Sequence, residues 1–467
     1  MALEIDTIVA QATPPGKGGV AVIRISGPAA HSIALSITGK ESTIQLKPRY
    51  AAFETFFGNH SNFSNNSNTQ TSIIDEGLLL WFPGPKSFTG EDVVELQGHG
   101  GPIVVKALLE RLCGLGARMA RAGEFTQRAF LNDKIDLTQA EAIADLIDAN
   151  STEAARCALQ SLQGAFSEAV KALEHQVTQL RIFCEAALDF PEEEIDFLSD
   201  TRVHNSLKKL VQTSQELIKA TQQGVKLRQG LSVALIGLPN AGKSSLLNCL
   251  AGEDRAIVTE IPGTTRDIVQ QSITLAGYPI ELADTAGLRD TSDPIEIEGI
   301  RRAHQLIARA DHIFYLVDAS RPNLEAQDIV HHIEHHLPQT DPQQITVLLN
   351  KIDLIDNIPS LKDLPYESIG VSAKLKLGVE DIVNRIETIV GGRGEENLFT
   401  ARQRHLDALY IADNHIQAGV ELLEHQGAGE LLAEELKLAH LALSEITGKV
   451  SSDDMLGKIF SSFCIGK

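Results

Sequence analysis

The stretch GLPNAGKS, at residues 237–244, has two glycines, a lysine and a serine at the spacing of a phosphate-binding loop. It follows the apolar run LSVALI and precedes SLLNCLAG, so it lies between a predicted strand and a predicted helix. Backbone N–H groups at such a helix start can bind phosphate, Lys243 can neutralise it, and the Ser244 hydroxyl can ligate Mg²⁺. The predicted nucleotide contacts here are Asn240, Ala241, Gly242, Lys243, Ser244 and Ser245.

Further motifs follow in the order typical of a guanine-nucleotide switch. IPGTTRD supplies Thr265 as a Mg²⁺ ligand, while DTAG supplies Asp284, which can hold Mg²⁺ through water, and Gly287, whose N–H can sense the γ-phosphate. NKID places Asp353 to accept both guanine donors, and VSAK offers N–H groups to the guanine carbonyl oxygen. The other GTP contacts predicted in these motifs are Thr259, Glu260, Ile261, Pro262, Gly263, Thr264, Thr285, Ala286, Asn350, Lys351, Ser372, Ala373 and Lys374.

Leu288 stands where Ras-like proteins carry the glutamine that orients the attacking water. The side-chain oxygen of Asn240 can ligate a monovalent cation such as K⁺, which would add positive charge beside the phosphates. Glu296 can polarise water directly or through a second water, or it can be an exposed charge beside Glu298. Arg289 is a candidate for fixing that segment.

Composition limits the classes of protein and partner. A chain of 467 residues predicts several domains, and 41 basic against 62 acidic side chains give a net charge of −21, which repels nucleic acid at long range. Scattered cysteines, no signal peptide and no apolar run of about 20 residues predict a reduced cytoplasmic protein without a membrane segment. The histidines of HHIEHH (331–336) lack the spacing and acid of a zinc protease and predict an exposed helix face.

Periodicity predicts a multidomain α/β and α+β protein. Short β-rich runs surround a helical stretch at 102–113, and the polar stretch 59–72 is predicted to be a flexible surface loop between strands. Farther along, strands alternate with helices as in a doubly wound parallel sheet of a Ras-like P-loop domain, inserted into a discontinuous helical domain. The predicted boundaries are 1–132 for the N-terminal α+β domain, 133–228 and 393–467 for the helical domain, and 229–392 for the G domain.

Long strings outside the G domain carry a family likeness. DTIVAQATPPGKGGVAVIRISGP, SFTGEDVVELQGHGG, GEFTQRAFLNDKIDLTQAEAIADLIDA and the closing FCIGK resemble the MnmE (TrmE) family of tRNA-modification GTPases, over essentially the whole chain. The resemblance implies a folate-binding N-terminal domain that forms a constitutive homodimer, and G domains that meet in a K⁺-dependent way. It implies Asn240, Thr259, Ile261 and Thr264 around K⁺, Ser244 and Thr265 on Mg²⁺, and Glu296 as the catalytic carboxylate.

The same resemblance implies binding of 5-formyltetrahydrofolate, or a related reduced folate, by Arg24, Glu95, Lys134 and Lys467. A carboxylate such as Glu95 can pair with the aminopyrimidine edge of a pterin, and Arg24 or a lysine can bind the glutamate tail. Cys464 is either a nucleophile, activated by its neighbour Lys467, or a packing and positioning residue.

By resemblance, the partner is the flavoprotein MnmG, in a heterotetramer or larger complex through which tRNA is mainly bound. Together they would install an aminomethyl or carboxymethylaminomethyl group at carbon 5 of the wobble uridine of certain tRNAs, using a folate one-carbon unit. Two alternatives stay open. A ribosome-assembly or translation GTPase explains the G motifs but leaves the N-terminal strings and CIGK unexplained, and a stand-alone folate-dependent transferase would need no flavoprotein.

Overall fold

The structure is a computed structural model that describes residues 6–41, 43–44, 46–60, 71–149, 151–189, 201–237, 240–251, 258–259, 270–275, 278–284, 310–322, 324–338, 340–355, 364–390, 399–426, 429–450, 453–463 and 466. The chain divides into two compact units. The first comprises residues 1–144, 170–194 and 422–467, and the second comprises residues 145–169 and 195–421.

The described helices are α1 (Ala30–Ile37), α2 (Pro102–Gly114), α3 (Glu124–Leu131), α4 (Leu137–Ile147), α5 (Thr152–Leu162), α6 (Ala165–Asp189), α7 (Thr201–Gln229), α8 (Lys243–Ala251), α9 (Ala326–His336), α10 (Val379–Val390), α11 (Gln403–Gln426), α12 (Gly429–Thr447) and α13 (Asp453–Ser461). None of them combines the length and the apolar content that crossing a membrane would require.

The first unit contains a six-stranded sheet in the order β3-β4-β5-β2-β1-β6. Neighbouring strands are antiparallel except β1 and β6, which are parallel. This arrangement, with helices on the sheet, confirms the predicted α+β class. The strands are β1 (Ile8–Gln11), β2 (Gly18–Ser26), β3 (Ala52–His60), β4 (Thr71–Phe82), β5 (Val93–Gly100) and β6 (Arg118–Met119).

Alternation along these strands separates a core face from an open face. Ile23, Leu79 and Leu96 are buried with residues of α1 and α2 in one apolar cluster. The intervening positions point to the other face, where the register places Arg24 opposite Glu95. This register brings two of the predicted folate residues together from positions 71 apart in the sequence.

Both ends of the stretch 59–72, which was predicted to be loop, are strand. Strand β3 includes Asn59 and His60, β4 begins at Thr71, and His60 pairs with Thr71. Strand pairing satisfies backbone groups whatever the side chains are. The polar composition of this stretch therefore did not indicate that its ends are strand. Residues 61–70 lie outside the described part of the chain.

The second unit contains a seven-stranded sheet in the order β13-β12-β11-β7-β10-β9-β8. The strands from β13 to β10 are parallel, and β9 and β8 extend the sheet in antiparallel pairing. The strands are β7 (Leu231–Gly237), β8 (Val258–Thr259), β9 (Gln270–Leu275), β10 (Tyr278–Asp284), β11 (His312–Asp318), β12 (Ile345–Asn350) and β13 (Glu367–Gly370).

Helices cover both faces of this sheet, which is why its central strands are apolar throughout rather than alternating. Leu235 and Leu348 pack with residues of α8 and α10 in one cluster. Ile236 and Val347, which point the other way, pack with Ile329 of α9 in another. The predicted doubly wound G domain is confirmed.

Two segments connect the G-domain sheet to helices of the same unit. On the way in, Arg228 of α7 donates from Nε to Asp145 Oδ1 at 2.8 Å, and on the way out Arg402 donates from Nη2 to the same oxygen at 3.0 Å. The backbone N–H of Thr400 donates to Ser161 Oγ at 2.9 Å, and Phe399 is 5% exposed. Residues 399–402, the described part of the outgoing segment, are therefore packed into the unit.

The histidine-rich stretch lies on α9, with His331, His332 and His335 exposed, as predicted. Among the described residues, no group of three His, Cys, Asp or Glu side chains is arranged to hold a metal ion. The cysteines at 113, 157, 184 and 249 are free thiols, and burial raises the pKa of Cys184 to about 12.

Candidate functional site

The phosphate-loop motif lies between β7, which ends at Gly237, and α8, which begins at Lys243. Asn240 and Gly242 have left-handed backbones, with φ of 64° and 98°, which turn the chain tightly into the helix. Lys243 Nζ donates to Gly237 O at 2.8 Å and so reaches back across the loop. The exposed Ser244 lies in the first turn of α8, where free N–H groups and the helix dipole favour anions.

Asn350 joins this loop to the base-recognition loops. Its side chain is buried, with 2% exposure, and Nδ2 donates to Ala241 O at 2.8 Å. The backbone N–H of Ala373, in VSAK, donates to Asn350 Oδ1 at 3.2 Å. A Cβ at Gly242 would lie 2.3 Å from Asn350 Nδ2, so only glycine allows this approach. One amide group therefore fixes the spacing between the phosphate end and the base end of the site.

The base end is formed by Asp353 and Ser372. Ser372 Oγ donates to Asp353 Oδ1 at 2.6 Å and accepts from the N–H of Leu375 at 3.1 Å. Asp353 lies in a 3₁₀ turn formed by Ile352–Leu354, directly after β12. The carboxylate is thus oriented through one oxygen, so that Oδ2 can accept from a base. Lys374, the last VSAK residue, is exposed beside it.

Asp318 is a residue of this site that the sequence patterns did not indicate. It ends β11, where it is paired with Asn350 across the sheet. Lys351 Nζ donates to Asp318 Oδ2 at 2.6 Å, while the N–H and Oγ of Ser320 donate to Oδ1. Burial raises the pKa of the Asp318 carboxyl, but these hydrogen bonds outweigh it and leave the pKa below the ordinary value. A polar residue closing an apolar strand was the signal available in HIFYLVD.

Only some of the predicted metal and switch residues belong to the part of the chain that the structure describes. Ser244 offers a hard hydroxyl oxygen that suits Mg²⁺, and the exposed Asn240 offers an amide oxygen that suits K⁺. Thr259 and Asp284 are the last residues of β8 and β10. The predicted residues that lie outside the described part of the chain are Glu260, Ile261, Pro262, Gly263, Thr264, Thr265, Thr285, Ala286, Gly287, Arg289, Glu296, Cys464 and Lys467.

The N-terminal candidate site centres on the Arg24–Glu95 pair on the open face of the first sheet. Arg24 Nε donates to Glu95 Oε1 at 3.0 Å, and the side chains are 22% and 16% exposed. The guanidinium carbon lies 5.6 Å from the centroid of the Phe88 ring and 5.8 Å from that of Phe125. The site thus offers a carboxylate, a cation and an aromatic surface. Together these groups fit a pterin that carries a glutamate tail.

Residues 84–91 form a loop that carries Phe88 and is tied down on several sides. Lys134 Nζ donates to Pro85 O at 3.0 Å, and Asn132 Nδ2 donates to Thr89 O at 2.7 Å. Glu91 accepts from Arg128 Nη1 at 3.1 Å. Lys134 and Arg24 therefore contact the same loop, which brings a third predicted folate residue to this region.

The fourth predicted folate residue, Lys467, follows a described neighbour. A Cβ at Gly466 would lie 2.1 Å from the backbone oxygen of Gln11, so Gly466 packs directly against the end of β1. Gly466 has φ of 98°, a conformation that glycine adopts without strain. This packing places Gly466 against the sheet that carries Arg24, and Lys467 itself lies outside the described residues.

A charge network centred on the buried Glu124 and Arg128 holds α3, the helix that carries Phe125. Glu124, 3% exposed, accepts from Arg118 Nη2 at 2.7 Å and from Arg128 Nη2 at 3.2 Å, and Arg128 also pairs with Asp6. Burial raises the pKa of Glu124, but the hydrogen bonds, with Arg118 first, outweigh it and lower the pKa to about 2. Spacing alone did not indicate this network, because charged residues a few positions apart are common on exposed helices and Asp6 joins from the distant N-terminal segment.

The doubly wound sheet, the phosphate loop and the NKID–VSAK pocket define a P-loop guanine-nucleotide-binding protein. The comparisons with known proteins extend this class. The family model described as "GTP-binding protein TrmE N-terminus" matches residues 7–134, and the model described as "MnmE helical domain" matches residues 137–464. The chain belongs to the MnmE (TrmE) family.

Curated relatives match the chain along its length. The protein named tRNA modification GTPase MnmE of Hydrogenovibrio crunogenus is 50% identical over 465 residues, and that of Shewanella sp. (strain MR-7) is 51% identical over 466 residues, each covering 99% of both chains. Among solved structures, the G domain of the FeoB iron transporter of T. maritima is 26% identical, with 34% of this chain and 98% of that chain covered. Its TM-score of 0.27 is too low to add to the assignment.

Proposed function

We propose that this protein hydrolyses GTP to GDP and phosphate in the modification of tRNA. With an MnmG-like flavoprotein, it would add an aminomethyl or carboxymethylaminomethyl group to carbon 5 of the wobble uridine, using a reduced folate. The observation that carries the GTPase part is Asn350, whose one side chain links the phosphate loop to the base-recognition loop. The tRNA part is supported by about half of the residues being identical to tRNA modification GTPases along the whole chain.

The chain's own residues divide the work of binding. Lys243 exchanges its bond to Gly237 O for the phosphates, and Asp353 accepts from the base while Ser372 holds it in place. Ser244 and Thr265 would hold Mg²⁺, and Glu296 would orient the attacking water where Leu288 cannot. A K⁺ ion held by Asn240 would supply positive charge beside the phosphates when bound.

We expect GTP turnover to be faster in K⁺ than in Na⁺ at equal ionic strength, and this preference should depend on Asn240. The left-handed backbone of Asn240 makes Asn240→Gly a cleaner variant than Asn240→Ala, because glycine removes the oxygen ligand without strain. The ratio of the two rates should fall to about one in the variant, since Na⁺ and K⁺ then find the same incomplete site.

The matched control is Asn248→Ala, an exposed asparagine on α8 one turn beyond Ser244. It should keep the full K⁺ preference of the natural chain. Equal K⁺ stimulation in Asn240→Gly and the natural chain would refute the ligand assignment while leaving GTP hydrolysis itself established.

Binding of 5-formyltetrahydrofolate, followed by equilibrium titration, tests the N-terminal site. Glu95→Gln removes the charge that pairs with Arg24 and with the aminopyrimidine donors, and it should raise the Kd by about 10–100-fold. Glu76→Gln is the control, because Glu76 is an exposed glutamate of the same sheet whose carboxylate accepts only from Thr55 among the contacts described. If the natural chain does not bind reduced folate, a GTPase switch that acts in ribosome assembly or translation becomes the better proposal.

The open sheet face supports a homodimer through the N-terminal domains. Phe53 and Leu78 are paired across β3 and β4, and they are 70% and 36% exposed, while Val20 on β2 is 62% exposed. Phe53 and Leu78 are adjacent across two strands, and exposed apolar residues that adjoin on a sheet face can form an interaction surface. With a net charge of −21, the chain repels nucleic acid, so we propose that the flavoprotein presents most of the tRNA-binding surface in a cytoplasmic complex.

A further inference from the structure

The contact between Asp318 and Lys351 lies inside the guanine site but has no role in the motifs themselves. Its two side chains are 13% and 32% exposed, and the distance between Nζ and Oδ2 is 2.6 Å. Both oxygens of Asp318 are engaged, because Ser320 donates to Oδ1 from its N–H at 3.0 Å and from its hydroxyl at 2.6 Å. Ser320 therefore holds the carboxylate in one orientation independently of Lys351.

The backbone around the pair is fixed as well. Asp318 lies opposite Asn350 in the parallel pairing of β11 and β12, and Ala319 N donates to Asn350 O at 2.9 Å. The next residue, Lys351, has φ of 66°, a left-handed conformation that is uncommon for a non-glycine residue. This turn directs the Lys351 side chain back across the carboxyl end of the sheet, towards Asp318 rather than along the strand.

A lysine whose ammonium is held by a carboxylate can offer its methylene stem as apolar surface. Lys351 lies between Asn350, which fixes the phosphate loop, and Asp353, which faces the edge of the base. The planar base, bound by Asp353 at its edge, needs apolar surface along its face, and a lysine stem whose end is tied down loses little further freedom when a ligand binds.

We propose that Asp318 is a positioning residue for the nucleotide base: it anchors the Lys351 ammonium so that the lysine stem forms one face of the guanine slot. The inference rests on the proposed GTPase function and names a residue that the GTPase motifs do not include. Asp318 acts on the face of the base and not on its edge. Its loss therefore weakens the binding of every purine nucleotide whose base Asp353 can bind, and by a similar factor.

The test measures the Kd of the full chain for GDP and for IDP, which lacks the 2-amino group. Asp318→Asn should raise both values by the same factor, about five- to tenfold, because one partly exposed charged hydrogen bond is lost. Lys351→Met keeps an apolar stem of similar length without the anchor, and it should weaken both nucleotides to a similar extent. The double variant should be no weaker than Lys351→Met alone, because the two changes remove the same contact.

Asp311→Asn is the control, since Asp311 lies just before the first residue of β11, at the end away from Asp318. Its carboxylate accepts from the backbone N–H of Ser232, and an asparagine oxygen can keep this interaction. It should bind GDP as the natural chain does. A GDP affinity of Asp318→Asn equal to that of the natural chain would overturn the proposal, as would additive losses in the double variant. A loss confined to GDP would instead place Asp318 at the base edge and also overturn it.

Urea unfolding without nucleotide separates positioning from folding. We expect the midpoint of Asp318→Asn to stay close to that of the natural chain, and a large fall would show a structural role instead. If Asp318→Asn does not fold, Lys351→Met decides alone, because unchanged GDP and IDP affinities there would show that anchoring the end of the side chain contributes nothing to base binding. Failure of the natural chain to bind GDP would refute the proposed GTPase function itself, and the two failures are thus distinguishable.

Discussion

Asp353→Asn should change the base preference of this protein from guanine to xanthine. The Asp353 carboxylate is oriented by Ser372 Oγ at 2.6 Å through Oδ1, which leaves Oδ2 for the base. Asparagine can still accept from Ser372 through its oxygen, and its NH₂ group then replaces the second carboxylate oxygen. That NH₂ group opposes the 2-amino group of guanine but can donate to the 2-oxo group of xanthine.

The expected loss is large because two hydrogen bonds to a charged acceptor disappear together. We expect the Kd for GDP to rise by about 10²–10⁴-fold. The variant should bind XDP more tightly than the natural chain does. Competition with a fluorescent nucleotide measures both. Asp381→Asn, an exposed aspartate on α10, is the control and should leave both affinities unchanged. Comparable weakening of both nucleotides would show that Asp353 does not contact the base edge.

Glu296→Ala should abolish most of the turnover without changing nucleotide affinity. Leu288 has no polar group to orient water, so the hydrolysis proposed here depends on another side chain, and Glu296 is the carboxylate that the family resemblance implies. Loss of a general acid–base group lowers the rate by about 10²–10⁴-fold. Single-turnover hydrolysis in saturating GTP and K⁺ measures this step apart from product release.

Glu298→Ala is the matched control, since Glu298 is two residues away and carries the same charge. It should hydrolyse GTP at close to the natural rate. If both variants retain activity, the carboxylate is not the group that replaces glutamine. If Glu296→Ala loses GTP affinity as well as turnover, the residue contributes to binding and the proposed division of roles is wrong.

The fold class was predictable because periodicity reports burial. The runs of β7, β11 and β12 are apolar throughout, since helices cover both faces, and the patterns of β2 and β5 alternate, since helices cover one. The phosphate loop was equally accessible, because the chemistry of that site is contained in a few consecutive residues.

Contacts that depend on strand register were not predictable from spacing. Asp318 meets Lys351 only because β11 and β12 pair in a particular register, and Glu95 meets Arg24 only because β5 and β2 do. The resemblance named Arg24 and Glu95 as separate folate contacts without pairing them, and it gave no indication of Asp318 or of the Glu124 network. The domain boundaries predicted from composition also stay a prediction, because the structure groups the chain into units of mixed segments.

One carboxylate oxygen of Asp145 accepts hydrogen bonds from both segments that flank the nucleotide-binding module. Since Arg228 and Arg402 hold the incoming and outgoing segments to one carboxylate, the nucleotide-binding module is attached at two points rather than suspended from one. Leu227 of α7 and Cys157 of α5 also belong to its apolar cluster, so helices outside residues 229–392 contribute to the core of the module. Excising the module at residues 229–392 would therefore remove it from Cys157 and Leu227, which form part of its own apolar core.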